Sequence, residues 1–330
     1  MESSVNSDRT VKTPEGVEWE LQQRPCPVCG ENDFDLIGKR GGQYHRDRLG
    51  AMAQVVQCRH CSLYYTNPTL YPLSNPYEAS GESYFVGAAH IPENKIKFGE
   101  RLAEKTARLL GRKGLVIEAA CGKGHFLVGA RNVGWEVKGV EMTDYFANQA
   151  RELGIDVEVA PVEESTYLDE ENKYDAIFML AMLEHLYDPL RMIKKAHKVL
   201  VPGGLALINV PNEVTSLVNR LGNFYVRTMY GKDWTMSLSP TFPPFHVVGF
   251  SPTSLERSLE LSGFEIVELE TVSGSNELPS KGLRQKLESA GVSSALLLGR
   301  ILDRKDLGNE IWCWARKVTS ENQLNLPGTT

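Results

Sequence analysis

Two stretches of this sequence gather side chains whose types and spacing suit chemistry. The first is a pair of C-x-x-C knuckles, "RPCPVCGEND" and "QCRHCSLYYTNP", which supply Cys26, Cys29, Cys58 and Cys61. Four thiolates in this arrangement satisfy a tetrahedral metal, and each short loop can turn backbone N–H groups toward sulfur. Zinc and iron are the two metals such a set takes. Sulfur at all four positions leaves no open coordination site, so the expected role is structural; His60, inside the second knuckle, is read as solvent-exposed. The second stretch is "VIEAACGKGHF", residues 116–126, an apolar run that ends in a glycine-rich turn. Gly122 and Gly124 allow a ligand close to the backbone, and Glu118 sets a carboxylate beside it. The nicotinamide fingerprint needs a third glycine where this chain has Leu127. Glu141 ends the next apolar run about 20 residues on, where an acid can accept hydrogen bonds from both hydroxyls of a ribose. The pair of signals points to an adenosine-like cofactor.

Two histidines join these candidates. His185, in "MLEHLYDP", follows an apolar run, with Glu184 beside it to orient it, and His246 lies in "PPFHVVGFS". Either has the chemistry of a general base or of a substrate ligand.

Positioning these groups requires a sheet. From residue 115 the runs "LVIEA", "EVKGVE", "DVEVA", "YDAIFML" and "LALINV" alternate with helical stretches at 143–153 and 187–200, the grammar of parallel βαβ units. Ser251 followed by Pro252 starts another helix, Gly263 ends it, "FEIVELE" follows as a strand, and "EIWCWARK" is the last strand. Ahead of them Phe98, Leu102, Leu109 and Leu110 recur at helical spacing before "GRKG". The expected organisation is a frayed tail (1–17), a cysteine module rich in short strands (18–76), a linker helix region (77–112), an α/β domain (113–318) with long insertions at 211–250 and 271–309, and a second tail (319–330). The first insertion mixes aromatics, prolines and polar residues, as a lid over an amphipathic substrate would. Tyr84 and Phe85, in "ESYFVG" ahead of the helix that holds Phe98, are read as core residues rather than as residues that close over the methyl donor. The amphipathic stretch 282–302 offers a face for a second copy of the chain, hence a possible homodimer.

Composition bounds the rest. The chain has 330 residues, 42% hydrophobic, and a net charge of -6, which gives no electrostatic reason to expect a phosphate backbone or an anionic membrane as partner. No run of roughly 18 apolar residues is present to span a bilayer, and the amino terminus lacks an apolar signal segment, so a cytoplasmic protein is expected.

The four segments "LVIEAACGKGHFL", "GWEVKGVEMTDYFANQAR", "YDAIFMLAMLEHLYDP" and "VLVPGGLALINVPN", in this order, resemble the motifs of class I S-adenosylmethionine-dependent methyltransferases over roughly 113–270 plus the final strand. The resemblance implies a Rossmann-like α/β fold with a mostly parallel seven-stranded sheet, here with a small N-terminal zinc-ribbon module. It implies that Glu118, Ala120, Cys121, Gly122 and Gly124 hold the methionine end of the cofactor and Glu141 the ribose. Met142 and Val162 would flank the adenine, and Leu180 would lie under the sulfonium. The family usually has glycine where this chain has Ala120. A zinc ribbon ahead of such a core resembles bacterial methyltransferases acting on sugars, polysaccharides and natural products, and more loosely ribosomal RNA guanine methyltransferases. The acidic net charge favours the first group and a small-molecule acceptor over nucleic acid. Methyl transfer is an in-line displacement that needs alignment and a dry site, with His185, Glu184 and His246 as the groups to handle the acceptor. The alternatives are an RNA methyltransferase and a non-catalytic cofactor-binding scaffold.

Overall fold

A computed structural model describes residues 10–13, 16–42, 50–74, 76, 92–272 and 307–318. Tyr84, Phe85, His45, His90, the stretch 282–302 and the second tail lie outside the described residues.

The main sheet is built from buried apolar runs that end in turn residues. Its strands are β7 (Leu115–Ala119), β8 (Glu136–Glu141), β9 (Asp156–Val159), β10 (Tyr174–Leu180), β11 (Leu200–Pro211), β13 (Phe264–Val272) and β14 (Glu310–Lys317). They lie in the order β13-β14-β11-β10-β7-β8-β9. β7, β8, β9, β10 and β11 pair in parallel, and β14 runs antiparallel to both β11 and β13. This is the mostly parallel seven-stranded α/β sheet expected. The order reverses between β7 and β10, whose carboxyl ends therefore flank the crevice where such sheets bind ligands.

Alternation along the central strands makes two cores. Ile117, Ala119, Ile177, Met179, Ala206 and Ile208 face one, with Met192, Ile193 and Ala196 of α4 (Pro189–Val199) and Leu255 and Leu259 of α6 (Pro252–Glu260). Val116, Ala176, Phe178 and Leu207 face the other, covered by α1 (Pro92–Leu110), α2 (His125–Asn132) and α3 (Asp144–Glu152). The helices expected at 187–200 and after Ser251 start on side-chain caps, whereas Thr143, which starts the one expected at 143–153, makes none. Asp188 accepts from the Arg191 N–H at 2.9 Å, and Ser251 and Ser254 form a reciprocal capping box with Pro252 at the first helical position.

α1 and α2 approach until their backbones touch, because glycine stands on both sides. A Cβ at Gly99 would lie 2.6 Å from the Phe126 carbonyl oxygen, and one at Gly129 would lie 2.3 Å from that of Ile96. Gly129→Ala is therefore expected to cost about 1–3 kcal/mol by overpacking. A lowered denaturant midpoint at unchanged m-value would register it, and an unchanged midpoint would contradict the contact.

The cysteine module has two small sheets. Thr10–Lys12 (β1), inside the segment read from sequence as a tail, pairs antiparallel with β2 (Glu18–Gln22), which pairs with β6 (Thr69–Pro72). Three residues are too few to show a period. The second sheet contains β3 (Phe34–Arg40), β4 (Ala53–Cys58), β5 (Tyr64–Thr66) and, from the far side of the sequence, β12 (Val248–Gly249). Between β11 and β12 the first long insertion forms a helix, α5 (Leu217–Tyr230), that sequence reading left unassigned. One core serves both regions: Cys26, Val28, Cys58, Cys61 and Tyr65 pack in the same cluster as Ile117, Met182, Leu183 and Phe250.

Candidate functional site

The glycine turn follows β7 at the switch point. Ala120 sits at φ 60, in the left-handed region that costs a residue with a Cβ and that glycine adopts freely. Gly122 (φ 54) has open space where a Cβ would stand, whereas Gly124 (φ 75) abuts Ala150 and leads into α2. Glu141, at the end of β8, ties the turn down. Its Oε2 accepts from the Gly122 N–H at 3.0 Å, and its Oε1 accepts from the N–H and the hydroxyl of Thr143, each at 2.9 Å. Cys121 turns its sulfur into the core beside Gly139 and Leu127, and its N–H donates to the Val140 carbonyl. Met142 is exposed, Val162 is buried beyond β9, and Leu180 is half-buried at the end of β10.

Glu118 is 2% exposed, and its Oε2 has no hydrogen-bond partner. Burial pushes its carboxyl well above the usual range; the positive charge of Lys95 opposes this, and Glu141 adds to it. Lys95 comes from the first turn of α1, and burial in turn lowers its own pKa. No sequence motif singles Lys95 out, since it is one of several charges on an amphipathic helix.

A second cluster lies a few residues beyond β10, at the same sheet edge. Ala181 repeats the left-handed turn of Ala120 with φ 50, and strained backbone of this kind gathers at functional sites. A short 3-10 turn, Leu183–His185, then presents Glu184 and His185. The segment entering β12 brings His246 to them, because the Val247 N–H donates to the Glu184 carbonyl at 2.9 Å. The rings of His185 and His246 meet edge to face with centroids 5.0 Å apart. His185 Nδ1 donates to the Phe245 carbonyl at 3.3 Å, and His246 Nδ1 donates to Glu213 Oε1 at 3.0 Å. A carbonyl and a carboxylate only accept, so each ring carries a proton on Nδ1.

Burial, reinforced by His246, lowers His185 to about 3, and burial raises Glu184 to about 7 against the opposing charge of His246. For His246 burial favours the neutral ring, but the hydrogen bond and charge of Glu213 outweigh it and raise its pKa. Burial likewise opposes the charged form of Glu213, and His246 overcomes it, holding that carboxyl below its usual value. Glu213 escaped sequence reasoning because it sits at the start of the insertion, far along the chain from the histidine that it orients.

The four cysteines converge as expected. Cys26 and Cys61 sulfurs lie 3.5 Å apart, Cys29 and Cys58 sulfurs 3.4 Å apart, and all four fall within 4.8 Å of one another. A tetrahedron of sulfurs about 2.3 Å from zinc has edges of about 3.8 Å. The two knuckles close alike: the Gly30 N–H donates to the Cys26 carbonyl and the Ser62 N–H to that of Cys58, both at 2.9 Å and both from left-handed backbone. His60 is exposed. Among the described residues this set and the Glu184, His185 and His246 group are the clusters with metal-ligand spacing, and no helix is long and apolar enough to cross a membrane.

A family model described as "Methyltransferase domain" matches residues 92–269. The chain belongs to that family. Its domain is a class I S-adenosylmethionine-dependent methyltransferase, and the fold follows that family's sheet. The chain is similar to the ubiquinone biosynthesis O-methyltransferase of Thiobacillus denitrificans, 25% identical over 174 residues that cover 51% of this chain and 71% of that protein. Its namesake from Alkalilimnicola ehrlichii is 30% identical over 145 residues, 42% of this chain and 55% of that one. A solved S-adenosylmethionine-dependent methyltransferase from Archaeoglobus fulgidus is similar at 18% identity and a TM-score of 0.47, covering 74% of this chain and all of that one.

The methyltransferase turn fits its cofactor chemically. An orphaned buried carboxyl oxygen at Glu118 suits an ammonium group, and the open face of Gly122 leaves room against the backbone. Glu141 supplies the acid expected at the end of the second strand.

Proposed function

We propose that this methyltransferase moves the methyl group of S-adenosylmethionine to an oxygen of a small polar acceptor, such as a sugar or a natural-product intermediate. The oxygen acceptor is supported by the printed names of the relatives, and a small acceptor by the acidic net charge of -6. Glu118, Ala120, Cys121, Gly122 and Gly124 form the methionine end of the cofactor site, with the positive charge of Lys95 acting on Glu118. Glu141 takes the ribose hydroxyls, Met142 and Val162 the adenine, and Leu180 the sulfonium side. The bound cofactor supplies an electrophilic methyl; the protein's part is to align an acceptor with it and to manage the acceptor's proton.

The observation that carries this reading is the Glu184, His185 and His246 cluster at the carboxyl edge of β10, one strand from the glycine turn, with both Nδ1 atoms held by acceptors. These side chains engage the acceptor, and Glu213 positions His246. Glu213→Ala is expected to lower kcat about 10- to 100-fold with cofactor affinity unchanged, and Glu213→Asp to recover part of it. Equal loss in both variants together with weaker cofactor binding would mean a purely structural role.

Cys26, Cys29, Cys58 and Cys61 hold a structural zinc in this reading. The module shapes the acceptor side, since β5, which follows Cys61, pairs with β12, which follows His246.

A further inference from the structure

We propose that Glu184, His185 and His246 are the protein ligands of a divalent first-row transition-metal cation that binds the acceptor through oxygen. The inference rests on the methyl-transfer reading and names how that site takes its acceptor. Three observations carry it.

First, one ligand atom from each residue lies within 4.8 Å of the others, with His185 Nε2 and Glu184 Oε1 at 3.9 Å, so a contraction of about 1 Å brings all three to coordination distance. Second, both histidines are prepared in the manner of metal ligands. A ligating imidazole nearly always donates its other N–H to a carboxylate or a backbone carbonyl, which fixes ring and tautomer. His246 does so to Glu213 at 3.0 Å and His185 to the Phe245 carbonyl at 3.3 Å. Glu213 is itself fixed, accepting from the Asn219 side chain at 3.2 Å and the Leu238 N–H at 3.4 Å. Third, Glu184 is 1% exposed and its Oε2 has no hydrogen-bond partner. A buried carboxyl oxygen left without a donor is costly, and a cation removes that cost.

Two imidazoles and one carboxylate favour first-row divalent ions over magnesium and leave coordination positions open. An acceptor hydroxyl at such a position has its proton affinity lowered and its oxygen fixed in place. This cation is distinct from the zinc of the cysteine set, which offers sulfur alone and no open position.

The test uses the full chain carrying one zinc per chain, the complement of the cysteine set, with excess zinc removed, titrated with Mn2+ and followed by the electron paramagnetic resonance signal of the free ion. The expected result is saturable binding of about one Mn2+ per chain. Glu184→Gln and His246→Ala should each weaken it at least tenfold, with S-adenosylmethionine affinity in the same samples kept as proof of folding. Glu213→Gln should weaken it about tenfold through its hold on His246. Absence of saturable binding, or binding untouched by Glu184→Gln and His246→Ala, overturns the site. Mn2+ binding without S-adenosylmethionine binding would leave the cation site standing and remove the methyl-transfer reading instead.

Discussion

Exchange of Cys58 and Cys61 for serine is expected to remove the proposed zinc and to lower turnover at least about 100-fold, while S-adenosylmethionine still binds. A serine hydroxyl does not replace a thiolate on zinc, and metal binding in such modules supplies their folding free energy. The loss is transmitted to the site through short links. β5 begins three residues after Cys61 and pairs with β12, Tyr65 opposite Val248. His246 stands two residues before Val248, and Val247 bonds to Glu184. Slack in the cysteine module therefore displaces both the histidine and the carboxylate proposed to engage the acceptor, and misplacement by about 1 Å is enough for a 100-fold loss. The glycine turn is held separately, by Glu141 on Gly122 and by packing in the opposite core. Elemental analysis, a cofactor titration and the rate of S-adenosylhomocysteine formation give the three readings. Full turnover in a zinc-free variant would contradict the account.

Glu141→Ala is expected to weaken S-adenosylmethionine binding by about 100-fold or more. Hydrogen bonds to a charged group contribute about 1.5–3 kcal/mol each, and this carboxylate is proposed to receive two from the ribose. It also holds the Gly122 N–H and caps Thr143, so its removal loosens the turn on which the cofactor is proposed to lie. Glu141→Gln, which keeps the shape and one acceptor oxygen, should fall between the wild type and Glu141→Ala. An affinity within threefold of wild type for Glu141→Ala would show that the ribose is held elsewhere.

The main sheet was legible because its central strands are buried on both faces and read as short, largely apolar runs separated by helical stretches. β7, β8, β10 and β14 begin and end where those runs do. β12 was not legible: two residues carry no period, and their partner β5 lies in the cysteine module, far away in sequence. α5 was missed because the prolines and aromatics around it suggested a loop, and none of its residues is buried to fix an apolar face. The residues proposed to meet the ligands, Glu118, Glu141, Glu184, His185 and His246, lie in motifs that sequence shows. The residues that orient or balance them, Glu213 and Lys95, are ordinary charges until the fold brings them near. Ala120 shows the converse, since sequence marked it as a departure from glycine and the backbone at φ 60 is the conformation that makes the departure costly.

The central claim is that the turn after β7 is an S-adenosylmethionine site. Calorimetric titration of the purified full chain with S-adenosylmethionine, and separately with NAD, tests it most directly. Saturable binding of S-adenosylmethionine, and none of NAD, is the predicted result. Saturable binding of NAD, or of neither, would contradict the account.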